Sequence, residues 1–262
     1  MKKRTIIHVT VGLVTSCLAS SAASFTFTGG NARLGANWQN DGDLTSGTVP
    51  GVGDTGLINI SGNVTGNTAG AWNGAVITQT AGILTGTWNI NSPTATYNLE
   101  GGTIDNAGNF NANGSTFNLS GGLLQFTGEL IVNTATGVIN VSGSTTIESD
   151  SGNFDLRLNN DDAEFNIAAD WTGSFISNSD VTEADWITQL VTGAGQADAD
   201  GPVDTDRLIN VGGTDITASN FGDFFVVTAN SGGGSTLTLV PEPSSAALLG
   251  LGGLALIMRR RK

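Results

Sequence analysis

Through the middle of the chain, apolar and polar residues alternate in short runs, and the runs recur. Tyr97-Asn98-Leu99-Glu100-Gly101-Gly102 returns as Phe117-Asn118-Leu119-Ser120-Gly121-Gly122, then as Ile139-Asn140-Val141-Ser142-Gly143, and in weaker form as Phe165-Asn166-Ile167-Ala168. Upstream, Ile58-Asn59-Ile60-Ser61-Gly62 reads as an earlier copy, with a degenerate one near Ile77-Thr78-Gln79-Thr80-Ala81-Gly82. The steps between copies are 19, 20, 20, 22 and 26 residues. A period near 20 suits one coil of a β-solenoid, in which about three short strands at roughly 3.3 Å per residue are separated by turns.

Alternation also assigns the faces. Tyr97 and Leu99 share one side of a strand, as do Phe117 and Leu119, Ile139 and Val141, and Phe165 and Ile167, so these side chains are expected to stack into a continuous apolar interior. Asn98, Asn118, Asn140 and Asn166 then point outward as an amide ladder, and the glycine pairs fall at corners where a Cβ would obstruct the turn. Second and third strands follow at Leu124 to Phe126 and Leu130 to Val132.

The flanks read differently. Asn37-Trp38 and Val49-Pro50-Gly51-Val52-Gly53-Asp54-Thr55 precede a first strand expected at Leu57 to Ile60. That order resembles the N-terminal opening of many bacterial surface β-helix proteins, including autotransporter-like passengers, with Trp38 closing the end of the hydrophobic stack. After Asp161-Asp162 the repeat fades. Val181 to Leu190, with Thr182 and Asp185 spaced as a variant capping box, predicts a short helix that covers the C-terminal end through Trp186, Ile187 and Leu190. Phe221 to Val227 and Ser235 to Val240, joined by Ala229-Asn230-Ser231-Gly232-Gly233-Gly234, predict a hairpin.

Both termini carry processing-type patterns. Lys2, Lys3 and Arg4 precede an apolar run from Thr5 to Leu18 and small residues from Ala19 to Ser24, the layout of a secretory signal peptide, with cleavage by signal peptidase expected after Ala23. Val14-Thr15-Ser16-Cys17 also fits a loose lipobox that would make Cys17 a lipidated first residue. Farther on, Pro241-Glu242-Pro243 is followed by an uncharged stretch from Ser244 to Met258 and by Arg259, Arg260, Arg261 and Lys262. The 15 residues would rise roughly 22 Å as a helix, enough for a thin transmembrane span stopped by the cations behind it. A core helix is the competing reading, and it would be expected to show a polar face.

In these three parts and their order the tail resembles the PEP-CTERM class of exported proteins. That resemblance implies recognition of Pro241, Glu242 and Pro243 by exosortase, a membrane-embedded cysteine protease or transpeptidase. It also implies transient membrane contact, export through the inner membrane of a Gram-negative-type bacterium, and delivery to the cell surface or an extracellular polysaccharide matrix.

Charge narrows the remaining choices. Removing residues 1–23 and 241–262 leaves three arginines, Arg33, Arg157 and Arg207, against 22 acidic residues, a net charge of −19. Nucleic acid is therefore not an expected partner. The single His8 and single Cys17 lie in the expected signal peptide, and every lysine lies in a terminal segment. A body without His, Cys or Lys lacks the groups for a Ser-His-Asp or Cys-His nucleophile, a Schiff base or a His/Cys zinc site. Carboxylate chemistry and oxygen-ligand calcium binding survive.

Two acidic groups represent them. Asp198, Asp200, Asp204 and Asp206 are weak calcium candidates in an Asp/Gly-rich loop, which is not an EF-hand because Arg207 stands where the last glutamate ligand belongs. Asp161, Asp162 and Glu164 beside Arg157 are the carboxylates a glycosidase or lyase would use, although solvated surface is the simpler reading.

The expected molecule is all-β, a single-stack parallel β-solenoid. It is right-handed by base rate, and has a short capping helix, a C-terminal hairpin and a C-terminal transmembrane helix. Its parts are a signal peptide at 1–23, a body at 24–240 with a cap from about 171, and a sorting signal at 241–262. The expected role is structural or adhesive and non-enzymatic, without a required cofactor. The alternatives are an exopolysaccharide-binding module using exposed aromatics such as Trp72 or Trp88, or a carboxylate glycoside hydrolase or lyase.

Overall fold

A computed structural model of the chain describes residues 22–32, 34–42, 48–60, 63–65, 72–86, 89–90, 94–132, 134, 136–150, 154, 156–158, 163–179, 182–192 and 208–241. The repeat folds as a parallel β-solenoid with three sheets, one for each strand position in the coil. Four successive coils contribute to all three: 76–90, 96–112, 116–132 and 138–158. The first sheet stacks Val76–Gln79, Thr96–Leu99, Thr116–Leu119, Val138–Val141 and Glu164–Ile167 in strict register, so that Phe117 lies between Tyr97 and Ile139. The second stacks Ile83–Gly86, Thr103–Asn106, Leu123–Phe126, Thr146–Ser149 and Ser174–Ser177. The third holds Asn89–Ile90, Phe110–Ala112, Leu130–Val132 and Leu156–Leu158.

The strands Thr96–Leu99, Thr116–Leu119 and Val138–Val141 contribute alternate residues to the core, as the sequence pattern requires, whereas Leu130–Val132 buries all three of its residues. Aromatic rings form two columns along the interior. One runs Phe27, Trp38, Trp72, Tyr97, Phe117 and Phe110, with successive ring centres 4.8–6.2 Å apart. The other joins Phe126, Phe154 and Phe175 and ends on Trp171 and Trp186. Edge and tilted contacts at these distances add a fraction of a kcal/mol to about 1.5 kcal/mol each beyond the buried area.

Two buried polar groups interrupt this apolar column and satisfy one another. The Tyr97 hydroxyl donates to Gln79 Oε1 at 2.7 Å, and Gln79 Nε2 donates to the carbonyls of Gly82 and Thr103, both at 3.1 Å. Burial raises the Tyr97 pKa well above its ordinary value, so the phenol stays a donor.

The corners depend on close backbone stacking. Gly122 has φ +75°, and a Cβ built there would stand 2.4 Å from the Gly102 carbonyl oxygen of the coil beneath. At Gly121 the corresponding distance, to the Glu100 carbonyl oxygen, is also 2.4 Å.

The strand expected to come first is preceded by Ser24–Phe27, its parallel neighbour, and departs from the expectation in its bounds. It spans Thr55–Ile58 rather than Leu57 to Ile60, and Gly56, not Ile58, lies beside Ile77. A shift of two residues preserves the inward and outward alternation, so periodicity alone accepts both registers. Gly56 stands inward because a ring occupies the space: a Cβ there would meet Trp38 Cζ3 at 2.8 Å. Trp38 is buried, donates from Nε1 to the Ala32 carbonyl, and belongs to Trp38–Asn40, which pairs antiparallel with Ser24–Phe27 and ends the first sheet.

The C-terminal part also corrects the pattern. The repeat does not end near Asp162: Leu208–Val211 adds another parallel strand, with Ile209 beside Phe165 and Asn210 beside Asn166. The intervening segment holds the predicted helix, observed at Glu183–Ile187 and continued by a π-helical turn at Thr188–Thr192. Its capping box is formed by Thr182 and Asp185, whose mutual hydrogen bonds lower the Asp185 pKa. Trp186 lies over Phe154 and donates to Ser235 Oγ at 2.9 Å, which makes the helix a lid on the core.

The expected hairpin is Phe225–Ala229 with Ser235–Leu239, while Phe221–Phe224 forms a helical turn instead of strand. Ser235–Leu239 also pairs antiparallel with Ser174–Ser177, so the hairpin closes the second sheet rather than standing apart. Antiparallel closure removes a long open parallel edge, a template for unwanted pairing. Among the described residues no helix is long and apolar enough to cross a membrane. The expected span at 244–258 lies outside them, as does the expected signal sequence through residue 21.

Gly122→Ala is expected to destabilise the body by at least about 1–2 kcal/mol, the cost of a left-handed non-glycine residue, before any backbone displacement. Urea unfolding would measure it, and an unchanged midpoint would contradict corner stacking. Tyr97→Phe should cost about 1–3 kcal/mol by leaving Gln79 Oε1 buried without its donor. The capping box should weaken as acidification protonates Asp185, because a lowered folded pKa gives stability that is lost as pH falls through it. Amide exchange at 183–187 as pH is lowered is the readout.

Candidate functional site: an asparagine ladder and the point where the chain leaves the body

Two features stand out on the outer surface. The first is the outward column of the first sheet. Asn118 Nδ2 donates to Asn98 Oδ1 at 2.8 Å, Asn140 to Asn118 at 2.9 Å, and Asn166 to Asn140 at 3.0 Å. Asn98 donates in turn to Thr78 Oγ1, and Asn210 donates to Asn166. The predicted ladder of four is therefore extended by Asn210. The motif Ile209-Asn210-Val211-Gly212-Gly213 carried the signal, obscured by a 44-residue step from Asn166.

All the amides donate in the same direction along the rod. Asn98, Asn118, Asn140 and Asn166 each use one N–H and one oxygen lone pair within the column; Asn166 also donates to Glu164, and Asn210 ends the row with its Oδ1 accepting from the Gly213 amide. The ladder ties successive coils together at half-buried side chains, an interaction the backbone ladder alone does not supply.

The second feature is the end of the body. The Val240 amide donates to the Phe224 carbonyl at 2.8 Å, and Pro241 follows directly. This segment lines a groove of about 570 Å³ together with Asp170, Trp171 and Gly173. It also lines a second, of about 330 Å³, together with Val211, Asp223 and Phe224. The Trp171 indole donates to the Thr145 carbonyl at 2.9 Å and is buried, so the first groove has a fixed wall. Pro241 thus begins at the folded surface, with no spacer after the last strand.

The other sequence candidates separate. Arg157 lies in the third sheet, and its Nη2 is 2.8 Å from Glu129 Oε1, whose other oxygen accepts from Asn109. Glu164 lies in the first sheet and accepts from Asn166. The postulated grouping of Arg157 with Glu164 is thus replaced by separate partners on different sheets, while Asp161 and Asp162 lie outside the described residues.

Trp72 is not an exposed sugar platform. It is 1 % exposed and stacked at 5.9 Å on Tyr97, because the turn at 72–74, closed by the Ala75 amide on the Trp72 carbonyl, swings it inward ahead of the strand and out of phase with its alternation. Trp88, the calcium candidates Asp198, Asp200, Asp204 and Asp206, and Glu242, Pro243 and the basic tail Arg259 to Lys262 lie outside the described residues. Among the described residues no three acidic, His or Cys side chains gather as a metal-binding group.

Fold and surface together define a β-solenoid protein whose last strand runs straight into a Pro-Glu-Pro tail. Residues 239–262 match the PEP-CTERM protein-sorting motif, so the chain carries the tail of an exosortase substrate. No curated protein and no solved structure matches the chain.

Asn118→Ala is expected to remove two ladder bonds and cost about 1–3 kcal/mol. Asn118→Gln, displaced by a methylene, should restore only part of that loss. Thermal unfolding of both variants would test the ladder, and two unchanged transitions would show that it contributes nothing.

Proposed function

We propose that the protein is a stiff, acidic structural rod of the cell surface or extracellular matrix, processed by exosortase and retained in exopolysaccharide. The observation that carries this reading is continuity: the sorting motif at 239–262 begins on the strand that closes the solenoid. Processing there would deliver the whole body and little else. Ten strands spaced about 4.8 Å apart give the first sheet a length of roughly 43 Å. Hydrogen bonds directed along that axis resist bending, which suits a load-bearing element.

The proposed route begins with signal peptidase and passes through transient membrane insertion of residues 244–258. The role proposed at the destination is structural or adhesive, not catalytic. The chemistry of the body favours it: without signal peptide and tail it has no His, Cys or Lys. An excess of carboxylates argues against nucleic acid and favours neutral or cation-bridged polysaccharide, with calcium as the candidate bridge. An aromatic sugar-binding platform is the weaker reading, since Trp72 lies in the core.

Expression of the full chain and of a chain ending at Pro241 in the same cells tests retention. The full chain should be found in the surface or matrix fraction, and the shortened one free in the medium. Equal retention would show that the tail does not direct the protein. Incubating the purified body with the host exopolysaccharide should give co-sedimentation without new reducing ends, whereas release of reducing ends would establish a glycosidase.

A further inference from the structure

Residues Ser20, Ser21, Ala22 and Ala23 are all small, so small-residue spacing permits signal peptidase to cut after either Ala22 or Ala23. The fold discriminates between them. Ala22 is exposed, whereas Ala23 is packed against the core. The Ala23 nitrogen lies 2.8 Å from Asp54 Oδ1, and the Ala23 carbonyl accepts from the Thr55 amide at 2.9 Å. Asp54 is itself held in place: its Oδ2 accepts from the Gly51 amide at 2.9 Å, and its own amide donates to the Gly51 carbonyl.

We propose that signal peptidase cuts the Ala22–Ala23 bond and that the new Ala23 α-ammonium pairs with the Asp54 carboxylate, fastening the mature N-terminus to the turn that opens the solenoid. The proposal rests on the reading of residues 1–22 as a signal peptide. Water adds across the amide, its hydroxyl going to the Ala22 carbonyl carbon and its proton to the Ala23 nitrogen. A second proton from solvent completes the ammonium.

The pairing converts an amide–carboxylate hydrogen bond into a charge-assisted one between full charges, the stronger type. Cutting one residue later would remove both Ala23 bonds, leaving Asp54 Oδ1 and the Thr55 N–H without their partners. The Pro50-Gly51-Val52-Gly53-Asp54 turn is then a receptor for a chain terminus as well as a bend. Ala23 precedes Ser24–Phe27, which pairs in parallel with Thr55–Ile58, so the tether fixes the first coil at its start.

Intact mass and N-terminal sequencing of the exported protein test the cut directly. The expected first residue is Ala23; Ser24, a lipid-modified Cys17 or an uncut Met1 would each overturn the proposal. The last two outcomes would also overturn the signal-peptidase reading, and Ser24 would not. Two single substitutions give the reciprocal check. Ala22→Leu places a bulky residue next to the proposed bond and should abolish the Ala23 N-terminus, moving the cut to the Ala23–Ser24 bond that the spacing also permits, whereas an unchanged N-terminus would contradict the proposal. Ala23→Leu should still be processed, giving a protein that begins with the new residue. The reverse pattern would place the cut after Ala23.

Discussion

Parallel, in-register stacking is the constraint on which everything else in this molecule depends. A coil cannot bury its own apolar residues; it needs the next coil at about 4.8 Å, aligned so that inward side chains meet inward side chains. That requirement explains the alternation, the aromatic columns and the corner glycines together. It also explains the polar exceptions. Gln79 and Tyr97 lie inside because they hydrogen-bond each other and nearby backbone carbonyls, and the outward asparagines repeat because a ladder forms only when the same residue recurs in the same place.

The same constraint creates a problem at each end, where a stack has no next coil. The N-terminal end is closed by the antiparallel strand Trp38–Asn40 and by Trp38 filling the space above Gly56. The C-terminal end is closed by the helix carrying Trp186 and by a hairpin that reverses the direction of the second sheet. In both places a tryptophan covers the core and an antiparallel pair replaces a parallel one. The chain then leaves from the closing hairpin itself, so the sorting motif inherits a rigid attachment.

Much of this was legible in the sequence because a solenoid writes its period and its faces directly into the residue order. Tyr97, Phe117, Ile139 and Phe165 identified the core column, and Thr182 with Asp185 identified the capping helix. What was missed has physical reasons. Gly56 carries no side chain to reveal that it faces inward, so Ile58 took its place at a register two residues away. Asn210 belongs to the ladder, but an inserted cap separates it from Asn166. Trp72 was expected at the surface because its outward or inward sense depends on a turn residue before the strand, where alternation gives no instruction. Pro241 was recognised as part of the sorting signal, yet only the structure shows it starting flush with the folded surface.

Delivery of this rod by its tail is the central claim, and intact mass of the extracellular protein tests it most directly. The mass predicted is that of a chain lacking both the signal peptide and residues 244–262. A surface form that still contains those residues would contradict processing at the tail.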